Sequence, residues 1–349
     1  MVNLLKRSAY GAGILLLAGT LMAGTPDIYG QPRATAPQAR FAQPGTVNYI
    51  EGQVSLDGQS ITQKAIGSAV VDPGHLLQTG NGKVEMLLTP GVFFRLGPNS
   101  TVKMISPSLS DTRVELVQGQ AMMEVADFQK ENHIQVTLGG SETTVKARGI
   151  YEFSTNPPMT RVYDGKVDVL MASRTRSLGK GGQLALDANN PKLKTQDFNL
   201  KQTEASTDLY NWSKLRADYT AQANMSAAQT YYGYGAGYAP GWYGGGWYWD
   251  RYSAQYAFLL GDGFLWDPFG FGFFSPGYWG LYGPYLGYGY YGHGFYGHPG
   301  GAITRGSVAG ARIAGGGFAG RAAVGGGFHG GGFGGGGFHG GGFGGGGRR

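Results

Sequence analysis

Residues 74–104 read GHLLQTGNGKVEMLLTPGVFFRLGPNSTVKM, and short apolar runs alternate in them with turns that contain glycine or proline. Every second residue is apolar from Val84 to Leu88 and again from Val92 to Leu96. A period of two is typical of half-buried β-strands, because successive side chains of a strand point to opposite faces. Pro-Gly at 90–91 and Gly-Pro at 97–98 predict the turns that join these strands.

The same pattern extends over residues 45–187. Alternating apolar residues recur at 121–125, 134–138 and 167–169, and turn signals return roughly every 8 to 12 residues. We therefore predict a mainly β domain over residues 45–187, which at about 140 residues is long enough for one hydrophobic core. The periodicity alone leaves a sandwich, a barrel and a solenoid open.

Several motifs of this domain resemble the periplasmic domain of the FecR family of bacterial envelope proteins. After residues 74–104 come VELVQGQAMMEV, GIYEF, VYDGKVDVL and LGKGGQLALD, in the order that this family shows. The family's frequent GT-x-F motif is replaced here by GIYEF at 149–153. The resemblance implies a β-helix-like or solenoid stack of short strands. Five residues occupy the matching positions: Gly80, Gly91, Asn99, Gly119 and Gly165.

The FecR resemblance also implies a signalling role. Founding members of the family pass an iron-uptake signal through a membrane helix to a cytoplasmic segment that controls a sigma factor. Only about ten residues precede the first apolar stretch here, and so short a segment is too small to fold into a regulator. We therefore expect the exported domain alone, without the sigma-regulating part.

The N-terminus predicts export. Lys6 and Arg7 precede the apolar stretch Gly11–Ala23, and small residues follow at its end. This order is typical of a cleaved secretory signal peptide, which we place at residues 1–24. The stretch is shorter than the roughly 20 apolar residues that cross a bilayer, so we expect no stable membrane span, with an uncleaved anchor as the alternative. The predicted location is the periplasm, or the outside of the cell as a secreted or surface protein.

Composition divides the rest of the chain. Residues 25–44 contain four prolines and predict an extended linker. A polar connector is predicted over 188–202, and a helix over 203–230 that packs on the β domain or docks a partner. We expect residues 45–230 to be soluble, β-rich and cooperative in unfolding. The apolar stripe predicted for the helix consists of Leu209, Trp212, Leu215, Tyr219 and Ala223.

Residues 231–300 are rich in tyrosine, tryptophan and glycine. From residue 232 to the C-terminus the chain holds 14 of its 22 tyrosines and five of its six tryptophans. Three interpretations remain open: the segment folds back on the β domain and caps the exposed end of its strand stack, it self-associates, or its rings stack on sugars. The residues predicted to make aromatic contacts are Trp242, Trp247 and Trp249.

Residues 301–349 form a glycine-rich tail in which FHGGGFGGGG occurs twice between Phe328 and Gly347. Glycine loses the most backbone entropy on ordering, and one phenylalanine in five residues buries too little surface to offset that loss. The tail is therefore predicted to be disordered and to act as a weak multivalent adhesive. Phe328 and Phe338 are its predicted contact residues.

Motifs of catalysis are missing from the sequence. There is no HExxH, GxSxG or GxxxxGK[ST] motif and no cysteine, and the acids of the β domain have no spacing that would pair them. We expect these acids to be solvated surface charges. The chain is therefore predicted not to be an enzyme, and to bind no cofactor, no metal and no nucleic acid. Four of the six histidines lie in the glycine-rich end without a fixed ligand geometry.

These features predict a non-enzymatic, exported cell-envelope protein, in which a FecR-like domain is a scaffold or binding module and the tail is adhesive. The predicted partners are an envelope protein, a polysaccharide or a second copy of the chain. The alternative is a carbohydrate-binding protein that contacts cell-wall or capsular sugars through exposed tryptophan and tyrosine.

Overall fold

The computed structural model describes residues 42–187, 194–233 and 244–290. The predicted signal peptide, most of the proline-rich linker and the glycine-rich tail lie outside the described residues. So do three of the predicted contact residues, Trp242, Phe328 and Phe338.

The described residues contain 21 strands and three α-helices. The strands are β1 (Val47–Glu51), β2 (Val54–Leu56), β3 (Gln59–Ile61), β4 (Leu76–Thr79), β5 (Lys83–Leu87), β6 (Val92–Leu96), β7 (Thr101–Ser108), β8 (Asp111–Gln118), β9 (Gln120–Val125), β10 (Gln135–Leu138), β11 (Ser141–Val145), β12 (Gly149–Thr155), β13 (Pro158–Asp164), β14 (Lys166–Met171), β15 (Arg174–Gly179), β16 (Gly182–Ala185), β17 (Gln196–Asp197), β18 (Gly246–Asp250), β19 (Gln255–Leu259), β20 (Phe264–Trp266) and β21 (Gly272–Phe274). The helices are α1 (Leu200–Ser206), α2 (Asp208–Gly233) and α3 (Pro276–Tyr290).

Strands β1–β17 form two large sheets that share one hydrophobic core. The first sheet has the order β1-β5-β6-β9-β12-β13-β16-β17, and the second has the order β15-β14-β11-β10-β8-β7-β4-β2-β3. Among the described strands, β8 and β10 are the one parallel pair, with Val114 opposite Val136. Phe94 of the first sheet and Val102 of the second lie in the same core. The prediction of a mainly β domain is confirmed, while the solenoid stack stays a prediction.

The two sheets differ in their outer faces. On the first sheet, Leu87 and Phe93 lie outside the shared core and are nevertheless fully buried, because later parts of the chain cover them. On the second sheet, Val117 and Leu170 are about half exposed. Strands that are buried on both faces contain continuous apolar runs rather than strict alternation. The first sheet is therefore the middle layer of the part of the chain that the structure describes.

The structure has two helices where the sequence predicts one over 203–230. Thr207 is extended and separates α1 from α2. Helix α2 packs on the first sheet, and Leu209, Trp212 and Ala223 of the predicted stripe are buried. The other two members, Leu215 and Tyr219, are 50% and 49% exposed. No helix among the described residues is long and apolar enough to span a membrane. The buried face of α2 consists mainly of small and polar residues, among them Ala217, Thr220, Ala221, Asn224 and Ala228.

Strands β18–β21 and helix α3 form a C-terminal lobe, residues 244–290. Strand β18 pairs with β19 and β20 pairs with β21, both antiparallel. Trp247, Phe258 and Phe273 of the lobe pack in one cluster with Leu87 and Phe93 of the first sheet. These strands of the Tyr/Trp/Gly segment fold back on the β domain, but they cover the outer face of the first sheet rather than the end of a stack.

Candidate functional site

Charged side chains are buried between the first sheet and its cover. Arg95 of β6 donates from Nε to Glu85 of β5 at 2.8 Å and from Nη1 to Glu124 of β9 at 2.7 Å. Arg216 of α2 donates from Nη2 to Glu85 at 3.1 Å and to the side chain of Gln255 of β19 at 2.6 Å. The contacts therefore connect the sheet, the helix and the lobe.

Asp267, at the turn between β20 and β21, completes this group. The amide N–H of Phe271 donates to Asp267 Oδ1 at 2.7 Å. The other oxygen, Oδ2, and Oε1 of Glu124 are buried and have no hydrogen-bond donor among the described residues. Burial and the nearby Glu124 carboxylate raise the pKa of Asp267 well above its ordinary value. A protonated Asp267 can donate to Glu124, which accounts for both oxygens.

We call these five side chains, Glu85, Arg95, Glu124, Arg216 and Asp267, the buried ion cluster. With Asp267 protonated, the cluster holds two cations and two anions and is neutral. Burial alone would raise the pKa of Glu85, but Arg216 and Arg95 lower it below its ordinary value. Because a buried charge without a partner costs several kcal/mol, this balance is a condition for the lobe to lie on the sheet.

The expectation that the acids of the β domain are solvated is wrong for Glu85 and Glu124, which are fully buried. The pair formed by Glu124 and Asp267 lies outside the expectation from spacing, because that expectation concerned only the acids of the β domain. Glu85 and Glu124 are covered by α2 and the lobe, which are too far away in the sequence for residue spacing to predict the contact. A local signal was present nonetheless: Glu85 lies in VEMLL and Glu124 in MMEVA, and an acid inside an apolar run needs a partner.

Two asparagines attach the lobe through its backbone. Asn48 of β1 donates from Nδ2 to the Tyr256 carbonyl at 3.2 Å and accepts from the Tyr256 N–H at 2.8 Å. Asn224 of α2 donates to the Phe258 and Phe274 carbonyls at 2.6 and 3.0 Å, and accepts from the Phe274 N–H at 2.9 Å. Side-chain amides thus replace strand partners at both hairpins of the lobe.

A row of partly exposed rings lies on the lobe, and we call it the aromatic row. Trp266 and Phe264 are 6.2 Å apart between ring centroids, Phe264 and Tyr278 are 4.8 Å apart, and Tyr278 and Tyr282 are 4.7 Å apart. Trp266 is 41% exposed and Tyr282 is 50% exposed. Aromatic faces that remain open to water are the usual contact points for sugars and for apolar protein surfaces.

The structure places the predicted contact residues Trp247 and Trp249 in the packing of the lobe. Trp247 is 4% exposed, and its indole N–H donates to the Leu88 carbonyl at 3.3 Å. Trp249 is partly buried and stands edge-on to Tyr256. Their role in contacting a partner stays a prediction. The sequence does not predict which rings form the aromatic row. Trp266 and Phe264 differ from their buried neighbours only in the face of the hairpin that they occupy.

The two features differ in what they can do chemically. The buried ion cluster is sealed from water, so it fixes the lobe in place. The aromatic row is accessible, so it can contact a second molecule. Among the described residues, no three histidine, aspartate or glutamate side chains lie close enough together to hold a metal ion.

No family model matches this chain, and no curated protein matches it. Two crystal structures, at 2.50 and 1.65 Å resolution, of a candidate anti-sigma factor from Parabacteroides distasonis ATCC 8503 are similar to part of it. Both are 15% identical, with TM-scores of 0.33 and 0.32, and the similarity covers 37% of this chain. It covers 62% and 63% of those chains, so this chain spans less than two thirds of their length. Membership of the FecR family stays a prediction.

Proposed function

We propose that this chain is a non-enzymatic, exported protein of the bacterial cell envelope, in which a FecR-like β domain holds an adhesive C-terminal region. It works in the periplasm or at the cell surface, and its partner is an envelope component or a second copy of the chain. The proposal rests on the resemblance of residues 45–187, on the N-terminal signal and on the composition of the tail.

One structural observation supports this proposal most directly. The lobe is attached to the sheet by a buried ion cluster and by two asparagine side chains, and these attachments need a stable sheet beneath them. The aromatic row remains exposed on the lobe. A stable support that presents exposed rings is what an adhesive or scaffold protein requires.

Cell fractionation tests this proposal. Tagged full-length protein and a variant without residues 301–349 are expressed in a bacterial host, and the cytoplasmic, periplasmic, membrane and secreted fractions are compared. We expect the full chain in an exported fraction, with removal of the tail shifting it from the envelope-bound to the soluble exported pool. Retention of both proteins in the cytoplasm would contradict export. Identical envelope binding of the two exported proteins would contradict an adhesive tail.

The aromatic row favours carbohydrate binding as a second candidate function. Rings that follow one another at 4.7 to 6.2 Å offer several adjacent faces to a sugar chain. A glycan array compares the full chain with the double variant Trp266→Ala/Tyr282→Ala. Tyr252→Ala is the matched control, because Tyr252 is 70% exposed and lies outside the row. Sugar binding that only the row variant loses supports this function, and binding that both variants retain contradicts a role of the row.

Trp247 is unsuitable for that experiment. Its ring is buried in the cluster between lobe and sheet, so Trp247→Ala would leave a cavity and destabilise the fold by about 3–5 kcal/mol. A loss of binding in that variant would therefore report unfolding as readily as a lost contact.

A further inference from the structure

The turn of the β20–β21 hairpin is attached to the sheet by an acidic side chain that faces another acid. Asp267 is 3% exposed, and its unbonded oxygen has a counterpart in the unbonded oxygen of Glu124. The charged groups around it come from several elements. Glu124 of β9 is bonded to Arg95 of β6, and Arg148, just before β12, donates to the Trp266 carbonyl. Behind Arg95 lie Glu85 of β5 and Arg216 of α2.

We infer that one proton held between Asp267 and Glu124 latches the β20–β21 hairpin to the first sheet, and that loss of this proton releases the hairpin. The inference does not depend on the proposed function. It follows from the geometry: without the proton, two buried carboxylates meet, and the cluster of two arginines and three acids carries one unbalanced negative charge.

Release should be local, because the two hairpins of the lobe are attached differently. The β18–β19 hairpin is attached by Asn48, whose amide does not titrate, and by Gln255 with Arg216. The base of β21 is attached by Asn224. The Asp267 turn is the one attachment of the lobe among these whose strength depends on an acid holding a proton.

The direction of the pH effect follows from linkage. Asp267 in the latched hairpin binds its proton more tightly than it does when exposed to water. The latch is therefore fully closed below the ordinary pKa of an aspartate and weakens as the pH rises toward the pKa of the latched state. Between these two limits the opening equilibrium increases about tenfold per pH unit, because the open form binds one proton fewer.

Cysteine labelling can measure this opening, since the chain has no cysteine of its own. Ala126→Cys places a thiol in the cluster between sheet and lobe, and Ala121→Cys, on the same part of the chain, places one in the core between the two sheets. The rate of labelling in folded full-length protein is divided, at each pH, by the rate for the same variant in urea, which removes the pH dependence of the thiol itself.

We expect the corrected labelling of Ala126→Cys to rise with pH by about tenfold per unit over part of the range and then to level off. Labelling tracks the open fraction when the hairpin recloses faster than the reagent reacts. Ala121→Cys should stay protected throughout, because it becomes accessible only on global unfolding. The inference would be overturned if labelling depended equally on pH at both positions, or if labelling of Ala126→Cys did not depend on pH. This comparison needs no substitution of Asp267.

Asp267→Asn in the Ala126→Cys background supplies the second measurement. Asparagine cannot ionise, its NH₂ can donate to Glu124, and its oxygen can still accept from Phe271. We expect labelling that no longer depends on pH and stays at the low, acidic level of the parent. Asp262→Asn, at an exposed acid before β20, should retain the parental pH dependence. A pH dependence that survives Asp267→Asn would show that another group operates the release.

Discussion

Asn48 and Tyr256 are 208 positions apart, and the Asn48 side chain forms two hydrogen bonds with the Tyr256 backbone, at 2.8 and 3.2 Å. The same amide donates to Glu85 of the buried ion cluster at 2.9 Å. One side chain of the first strand therefore satisfies both the backbone of the lobe and a carboxylate beneath it. Its amide group is needed for this, because it must donate and accept at the same time.

Asn48→Asp should destabilise the protein by roughly 2–4 kcal/mol. The carboxylate cannot donate to Tyr256 or Glu85 and adds a second negative charge beside Glu85. The free energy of unfolding is measured by urea denaturation at neutral pH. Asn81→Asp, at an exposed position, serves as the control and should change stability by less than about 0.5 kcal/mol. Equal effects of the two variants would show that the Asn48 contacts contribute little.

Glu85→Gln should lower stability at neutral pH and flatten its dependence on acid. Because the pKa of Glu85 is lowered in the fold, its contribution is present above the ordinary pKa of a glutamate and is lost as the pH falls through the lower, folded value. Removing one member of a buried ion pair costs about 3–5 kcal/mol. Urea denaturation from pH 2 to 7 compares it with Glu131→Gln at an exposed site. Parallel curves for Glu85→Gln and the parent would count against this assignment.

Gly67 and Gly58 have the same backbone conformation but different surroundings. Alanine substitutions at the two positions therefore distinguish the cost of backbone strain from the cost of side-chain crowding. Gly67 has φ +74° and Gly58 has φ +77°, but an added Cβ would lie 2.2 Å from the Trp249 ring at Gly67 and would meet open space at Gly58. Gly58→Ala should cost about 1–2 kcal/mol through the backbone alone. Gly67→Ala should cost a further 1–3 kcal/mol or so and should alter tryptophan fluorescence, because Trp249 must move. An equal loss of unfolding free energy in the two variants would show that the Trp249 ring moves aside without a measurable cost.

A fragment of residues 45–230 should be less soluble and less cooperative in unfolding than a fragment of residues 45–290. The shorter chain leaves Leu87 and Phe93 without the lobe and leaves the buried ion cluster without Asp267. Binding of a hydrophobic dye and the steepness of urea unfolding measure the difference. Indistinguishable fragments would show that the lobe adds nothing to the fold. This expectation replaces the one from sequence, which treated residues 45–230 as self-sufficient.

Periodicity predicted the strands and their inner faces, because both depend on neighbouring residues. Val84 and Val92 lie in the shared core as their alternation indicates. The outer face of the first sheet was not predictable in the same way, because its cover is made by α2 and the lobe, which lie far along the chain from the strands they cover. For this reason the alternation in β5 predicts an exposed position for Glu85, whose side chain points away from the shared core.

The buried face of α2 is predicted only in part: Leu209, Trp212 and Ala223 of the stripe are buried, and the other two members are not. Leu215 and Tyr219 are large and apolar, so the hydrophobic pattern pointed to them, yet both are half exposed. The helix lies instead against the backbone of the two lobe hairpins, which Asn224 reaches directly. Close approach to a backbone requires small side chains, and hydropathy does not identify that requirement.

The distance in sequence between the first sheet and its cover has a consequence for biosynthesis. Every strand of both large sheets has been made once residue 197 is added, but the cover of the first sheet is complete only when the hairpins that end at residue 274 follow. At about 5–20 residues per second, the nascent chain displays Phe93 and the uncovered Glu85, Arg95 and Glu124 side chains for roughly 4–15 seconds. Chaperones that bind emerging polypeptides therefore have a defined interval and a defined surface on which to act.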